Sequence, residues 1–151
     1  ETGYHIVYNE TLRDRICAVS NKTHYNEMNV LSMHALIGAY QPQGYEWVDE
    51  LNQVLAGNIE YFCTYAKKHW KGVAFSRPQG TYMVFLDCTE WCREHGRDIQ
   101  WLLDEGARVG VGYQDGRPFH GPCHIRVNLA LPLSRVKEAC DRLDRYVFNA
   151  R

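Results

Sequence analysis

The sequence predicts an α+β domain: a small, mostly antiparallel sheet with helices packed on one face, preceded by a long helix. Three stretches carry that expectation. Residues 46–70 hold an apolar stripe of Trp47, Leu51, Val54, Leu55, Ile59, Phe62 and Ala66, at the intervals of three and four that make one helical face. Residues 121–132 read G-P-C-H-I-R-V-N-L-A-L-P. Their period of two puts Ile125, Val127 and Leu129 on one face of a strand and His124, Arg126 and Asn128 on the other. Residues 134–147 return to the helical period with Val136, Ala139, Cys140, Leu143 and Val147. Strands and helices that each offer one apolar side make a two-layer sandwich.

The chain has 151 residues, enough for one ordinary domain or for one domain with part of another. With 45% hydrophobic and 23% charged residues it is globular in composition. The 17 basic and 18 acidic side chains leave a formal charge of −1, so no basic surface recommends nucleic acid or an acidic membrane as partner. No apolar run approaches the ~18–20 residues of a membrane span. No signal peptide is visible, and the expected location is cytoplasmic. The cysteines (Cys17, Cys63, Cys88, Cys92, Cys123 and Cys140) are irregularly spaced and read as reduced, mostly buried thiols. The N-x-T sequons at Asn9 and Asn21 are short enough to occur by chance.

Taken in order, residues 4–8, Y-H-I-V-Y, read as a short strand. Asn9 caps a helix bearing Leu12, Ile16 and Val19. Residues 25–39 make a second helix, with Met28, Leu31, Ala35, Leu36 and Ala39 on one face, and Q-P-Q-G at 41–44 breaks it. These helices have no sheet of their own. Residues 1–45 are therefore expected to be a remnant of a larger domain with linker helices, and 46–151 a C-terminal small domain. The helix over 46–70 would run roughly 37 Å, the length of one that crosses between domains or flanks a whole sheet, and Gly72 ends it. Residues 72–76 read as a strand and 77–80, R-P-Q-G, as a turn. Residues 81–86 are apolar on both faces, as in a central strand. Asp98 caps a helix over 99–105 with Gly106 at its C′ position. Residues 107–111 read as a strand, and 112–121 as a long glycine-bearing loop of the kind that serves a function. Ser134 caps the last helix.

Arg126 is the side chain whose planar fork suits a carboxylate bidentately, although a solvated or salt-bridged arginine is the commoner occupant of a strand's polar face. Cys88, Cys92 and His95, at i, i+4 and i+7, would share a helical face, and with Cys123 or His124 they are candidate zinc ligands in a metal-stabilised interaction module. The other reading is two buried thiols and a surface histidine. Cys123 with His120 is a candidate nucleophile pair without an oxyanion signature. Tyr82, after Gly80, would either line a cleft or sit in the core with its hydroxyl bonded. Trp47, Tyr61, Phe62 and Tyr65 read as core or inter-domain packing.

The succession of long helix, strand, R-P-Q-G-T-Y turn (77–82), strand, helix, A-R-V-G-V-G segment (107–112), glycine loop, R-V-N-L-A-L-P strand (126–132) and final helix resembles the C-terminal small domain of fold-type I pyridoxal-phosphate enzymes, the aminotransferase class I/II superfamily. The strand, followed by L-S-R-V-K-E-A at 133–139, is most similar to the carbon–sulfur lyases of the cystathionine β-lyase type. The likeness runs from about residue 4 to 149. It implies that Arg126 binds the α-carboxylate of an amino-acid substrate, with Asn128 and Tyr82 at the same substrate. It implies a parent enzyme, a homodimer, that uses pyridoxal 5′-phosphate for transamination or β-elimination. In the family the cofactor lysine lies in a serine-rich motif. Lys22, Lys67, Lys68, Lys71 and Lys137 do not have that context, and no glycine-rich phosphate cradle is present. The chain is thus expected to start downstream of the catalytic lysine, to lack its partner large domain, to bind no cofactor and to be inactive by itself.

Overall fold

In this computed structural model the chain divides into two units, Glu1–Glu50 and Leu51–Arg151, and residues 3–25 and 27–149 are described. The division falls inside one helix, a few residues beyond the boundary expected at 45.

In the first unit, α1 spans Glu10–Thr23 and starts where the Leu12 N–H donates to Asn9 Oδ1 at 2.9 Å, as expected. α2 spans Val30–Ala39. It begins five residues later than the apolar pattern suggested, because Asn29 is the residue whose Oδ1 accepts the Ser32 N–H (2.9 Å), and a side-chain cap fixes a helix start more firmly than periodicity does. α3 begins at Pro42 and runs to His69. Q-P-Q-G is therefore a start as well as a stop, since proline at the first helical position gives up no needed N–H. Residues 4–8 form no strand; their alternation finds no partner to pair with. None of the described residues among 3–50 is buried.

The second unit contains the end of α3, then β1 (Met83–Asp87), α4 (Thr89–His95), α5 (Ile99–Arg108), β2 (Gln114–Asp115), a 3-10 turn (Arg117–Phe119), β3 (His124–Asn128), α6 (Leu133–Leu143) and a π-helical turn (Asp144–Phe148). The strands form one antiparallel sheet in the order β1–β3–β2, with Phe85 opposite Arg126 and Arg126 opposite Gln114. Val84 and Leu86 of β1 and Ile125 and Val127 of β3 are buried. With Ile59, Phe62, Ala66 and Trp70 of and just after α3, Leu102 of α5, and Val136, Cys140, Leu143, Val147 and Phe148 they make one core. Each buried Val, Leu, Ile or Phe among them contributes about 1.5–3 kcal/mol. The fold class is the expected one.

Several element assignments are corrected. β1 is an edge strand, buried on alternate residues only. The strand expected at 72–76 is a single bridge, Ala74 to Asp87. The strand expected at 107–111 is the last turn of α5 and the loop after it. Gly106 lies within α5, because a Cβ there would come 2.5 Å from Tyr113 Cζ, and the Tyr113 hydroxyl reaches over it to donate to the Leu102 carbonyl. Glycine here makes room for a ring instead of ending a helix. Ser134 is not the cap of α6: the Arg135 and Val136 N–H groups donate to the Pro132 carbonyl (2.8 and 3.2 Å), so the helix opens at Leu133.

Buried polar contacts tie α3 to the end of β3 and the C-terminal turn to α4. Asn58 is buried, and its Nδ2 donates to the Leu129 and Leu131 carbonyls just beyond β3 (2.9 and 2.7 Å). In the π-helical turn the Asn149 N–H donates to the Asp144 carbonyl (3.0 Å), and the Phe148 carbonyl accepts from Trp91 Nε1 (3.1 Å).

Candidate functional site: an arginine cleft on the open face of the sheet

Because Ile125 and Val127 point into the core, the pleat turns His124, Arg126 and Asn128 to the other face. There they meet Met83, Phe85 and Asp87 of β1 and Gln114 of β2. A cleft of about 550 Å³ opens on this face, lined by Thr81, Tyr82, Met83, Phe85, Gln114, Arg126 and Asn128. The residues singled out from the sequence, Arg126, Asn128 and Tyr82, thus lie on one cleft. Tyr82 is 43% exposed and is not a core residue; its carbonyl accepts the Leu129 N–H at 2.9 Å. Asn128 uses Oδ1 to accept the Ala130 N–H (2.8 Å), which keeps its amide nitrogen for other partners.

Arg126 is half-buried. Its guanidinium carbon stands 4.0 Å from the centre of the Phe119 ring, and its Nε is buried without an acceptor. Among the described residues, Asp or Glu carboxylates pair with seven other arginines (Arg13, Arg77, Arg93, Arg108, Arg117, Arg135 and Arg142), but none with Arg126. A half-buried cation with an unused donor is an incomplete arrangement that an added anion completes. At the end of the same face His124 Nε2 lies 3.9 Å from Asp87 Oδ2. Burial pulls the Asp87 carboxyl up, but its Thr89 hydrogen bonds (2.9 and 2.5 Å) and His124 together hold it below the usual aspartate value.

Phe119 and Gln114 were not legible in the sequence. They sit in the 112–121 loop, where no periodicity says which residue meets which strand. That loop is tied down: the Gly116 N–H donates to the His124 carbonyl at 2.9 Å, an approach so close that a Cβ on residue 116 would come 2.5 Å from that oxygen.

The zinc-ligand candidates do not form a metal site. Cys88 and Cys92 are buried, while the His95 ring stacks on Trp91 (4.3 Å) with its Nδ1 against the Trp91 carbonyl (2.8 Å). Among the described residues no group of three or more His, Cys, Asp and Glu is placed to hold a metal, so the metal-stabilised reading loses its ligand set. Burial and a hydrogen bond with Cys123 push the Cys92 thiol up to about 12, so Cys92 stays a neutral, inert thiol. A second cavity, about 340 Å³ between the 110–112 segment and α6, is better enclosed and more apolar. Its charged rim is already satisfied internally, with Glu138 held by Arg135 (2.9 Å) and Arg142 (2.6 Å). The chemistry therefore points to the Arg126 cleft. Among the described residues no helix is long and apolar enough to cross a membrane.

No protein-family model matches the chain. A protein named "Putative cystathionine beta-lyase" from Mycobacterium leprae is 33% identical over 124 residues, covering 72% of this chain and 30% of that protein. An aspartate aminotransferase from Bacillus sp. (strain YM-2) is 28% identical over 155 residues, covering 97% of this chain and 38% of that one. Among solved structures, the pyridoxal-phosphate-bound carbon–sulfur lyase of Staphylococcus hominis superposes with a TM-score of 0.78 at 25% identity, over 92% of this chain and 36% of that one. The chain spans about a third of the length of these relatives. By fold and by sequence it belongs to the fold-type I pyridoxal-phosphate-dependent enzymes, the superfamily of aminotransferases and carbon–sulfur lyases, and matches their C-terminal part.

Proposed function

We propose that this chain is the substrate-carboxylate-binding domain of a pyridoxal-phosphate-dependent aminotransferase or carbon–sulfur β-lyase acting on amino acids. The single observation that carries the reading is Arg126: half-buried, at an open cleft, in no ion pair among the described residues. Its fork would take both oxygens of an α-carboxylate in parallel charge-assisted hydrogen bonds. Asn128 and Tyr82 would bound the same substrate from β3 and from the turn before β1. Fixing the carboxylate fixes Cα and the bonds around it, which is catalysis by positioning.

The cofactor itself does not fit this chain's own residues. Among the described residues no lysine lines the cleft, and Lys137 is engaged elsewhere, over the Tyr61 ring (5.4 Å). In this proposal the lysine and phosphate-binding groups belong to a large domain outside these 151 residues, residues 1–45 are the edge of that domain, and the chain alone turns nothing over. The parent is cytoplasmic and homodimeric, and residues outside this chain choose between transamination and β-elimination.

The test is the Michaelis constant of the complete enzyme. Losing two hydrogen bonds to a charged group, at about 1.5–3 kcal/mol each, should raise KM for the amino acid at least ~100-fold in Arg126→Gln. Arg126→Lys should recover part of that loss. An Arg126→Gln enzyme with unchanged KM would remove the proposal.

A further inference from the structure

Phe119 is 45% exposed, so core burial does not explain where its ring sits. Its backbone is nevertheless held by a dense set of bonds. The Phe119 and Gly121 N–H groups both donate to the Gly116 carbonyl (2.9 and 3.1 Å), and Gly116 is itself bonded to His124. Asp115 accepts the Arg117 N–H at 2.9 Å and Arg117 Nε at 2.7 Å. Arg117 Nη2 reaches α5 to donate to Gln100 Oε1 at 3.0 Å. This turn leads out of β2 and back into β3, the strand of Arg126, and the ring it carries lies under the Arg126 guanidinium.

We infer that Phe119 is a positioning residue for Arg126. A ring stacked on the face of a guanidinium uses none of its N–H donors, because those lie in the guanidinium plane. It therefore steadies the side chain and leaves free the donors a ligand needs. An acidic residue in the same place would steady it too, but would occupy the fork and neutralise it. Arginine has a long, rotamer-rich side chain, and holding it in one orientation before the ligand arrives lowers the entropy lost on binding. The turn with Asp115, Arg117 and Gly116 is the mount for that ring. This inference rests on the reading of Arg126 as a carboxylate clasp.

The experiment uses the ¹⁵N-labelled 151-residue chain and propionate as the carboxylate probe. The Arg126 Nε–H resonance should lie upfield through the ring current of Phe119 and respond to propionate saturably. Phe119→Leu should remove the upfield shift and weaken propionate binding about three- to tenfold. Phe119→Tyr, which keeps an aromatic face, should bind within about twofold of the wild type, and this separates loss of the ring from damage to the turn. Arg126→Gln should abolish the response. If Phe119→Leu binds like the wild type while Arg126→Gln does not, the role of Phe119 is wrong and the proposed function stands. Phe119→Tyr binding no better than Phe119→Leu would likewise rule out the role of the ring and leave the proposed function standing. If Arg126→Gln binds propionate as well as the wild type, both readings fall together.

Discussion

Helix α2 reads V-L-S-M-H-A-L-I-G-A and α6 reads L-S-R-V-K-E-A-C-D-R-L. α2 is the more apolar by composition, yet it buries no residue, whereas α6 buries Val136, Cys140 and Leu143. The contrast extends to the units around them. Among the described residues of 3–50, Ile6, Tyr8, Val30 and Leu31 are all well exposed. The second unit encloses a continuous core beneath its sheet. Apolar content alone does not decide burial. α6 confines its apolar side chains to one stripe and fills the rest with charge, so it has one inside and one outside. α2 is apolar nearly all round, the mark of a helix that needs cover on several sides. In the function proposed above, that cover is the remaining two thirds of the parent enzyme.

The sharpest way to break this contrast is a pair of truncations. Phe62→Ala, in the core against Trp70, should cost about 3–5 kcal/mol in denaturant unfolding. Leu31→Ala, at a residue 83% exposed, should stay within about 0.5 kcal/mol. Equal costs would show that α2 is packed in solution. Next in size is Asn58→Ala. It leaves the Leu129 and Leu131 carbonyls without their donor and should cost about 2–4 kcal/mol by the same measurement.

A third test reads the exposed unit directly. An uncovered apolar surface of this extent should make the isolated chain self-associate, and static light scattering would detect it; a clean monomer across the micromolar range contradicts the account. The smallest effect lies in the turn that carries Phe119. The Arg117 backbone N–H, outweighing the opposing effect of burial and helped by the Arg117 guanidinium, holds Asp115 below the usual aspartate value. A lowered folded value means that this anchoring is fully present above the ordinary aspartate range, about 3.9, and is lost as pH falls through the folded value. The Arg126 Nε–H shift should hold steady from neutral pH to about 5 and relax only below about 4. Asp115→Asn should lack that acid limb.

What was legible in the sequence follows from this contrast. The two faces of β3 were readable because one of them is buried and a slip of one residue would exchange them, although the strand itself covers only His124–Asn128 of the stretch 121–132. The C-terminal half of α3 and the apolar stripe of α6, though not its first residues, were readable for the same reason. The stripe of α3 also predicted burial for Trp47 and Val54, which are exposed: periodicity shows that a helix has a face, and only a partner decides where along it burial occurs. Residues 107–111 misled because a short apolar run fits a strand and a helix end equally. In the site, the pleat put Arg126 and Asn128 on one face, while the choice of a cleft over the core for Tyr82 rested on the resemblance alone. Phe119 and Gln114 were out of reach, since their neighbours are set by the path of an irregular loop.

The widened turn at Asp144–Phe148 has a consequence for chain length. Four residues separate Val136 from Cys140 and Leu143 from Val147, yet the adjacent Phe148 is buried as well, because the looser coil brings two consecutive side chains inward. Its ring stacks on Trp70 at 4.4 Å while its carbonyl receives the Trp91 indole. Deleting one residue among 144–146 would tighten the coil and swing the phenyl group away by roughly 100°, stranding two tryptophans at once. The tail of this protein is therefore measured in whole residues, and a one-residue shortening there would be felt at the centre of the molecule.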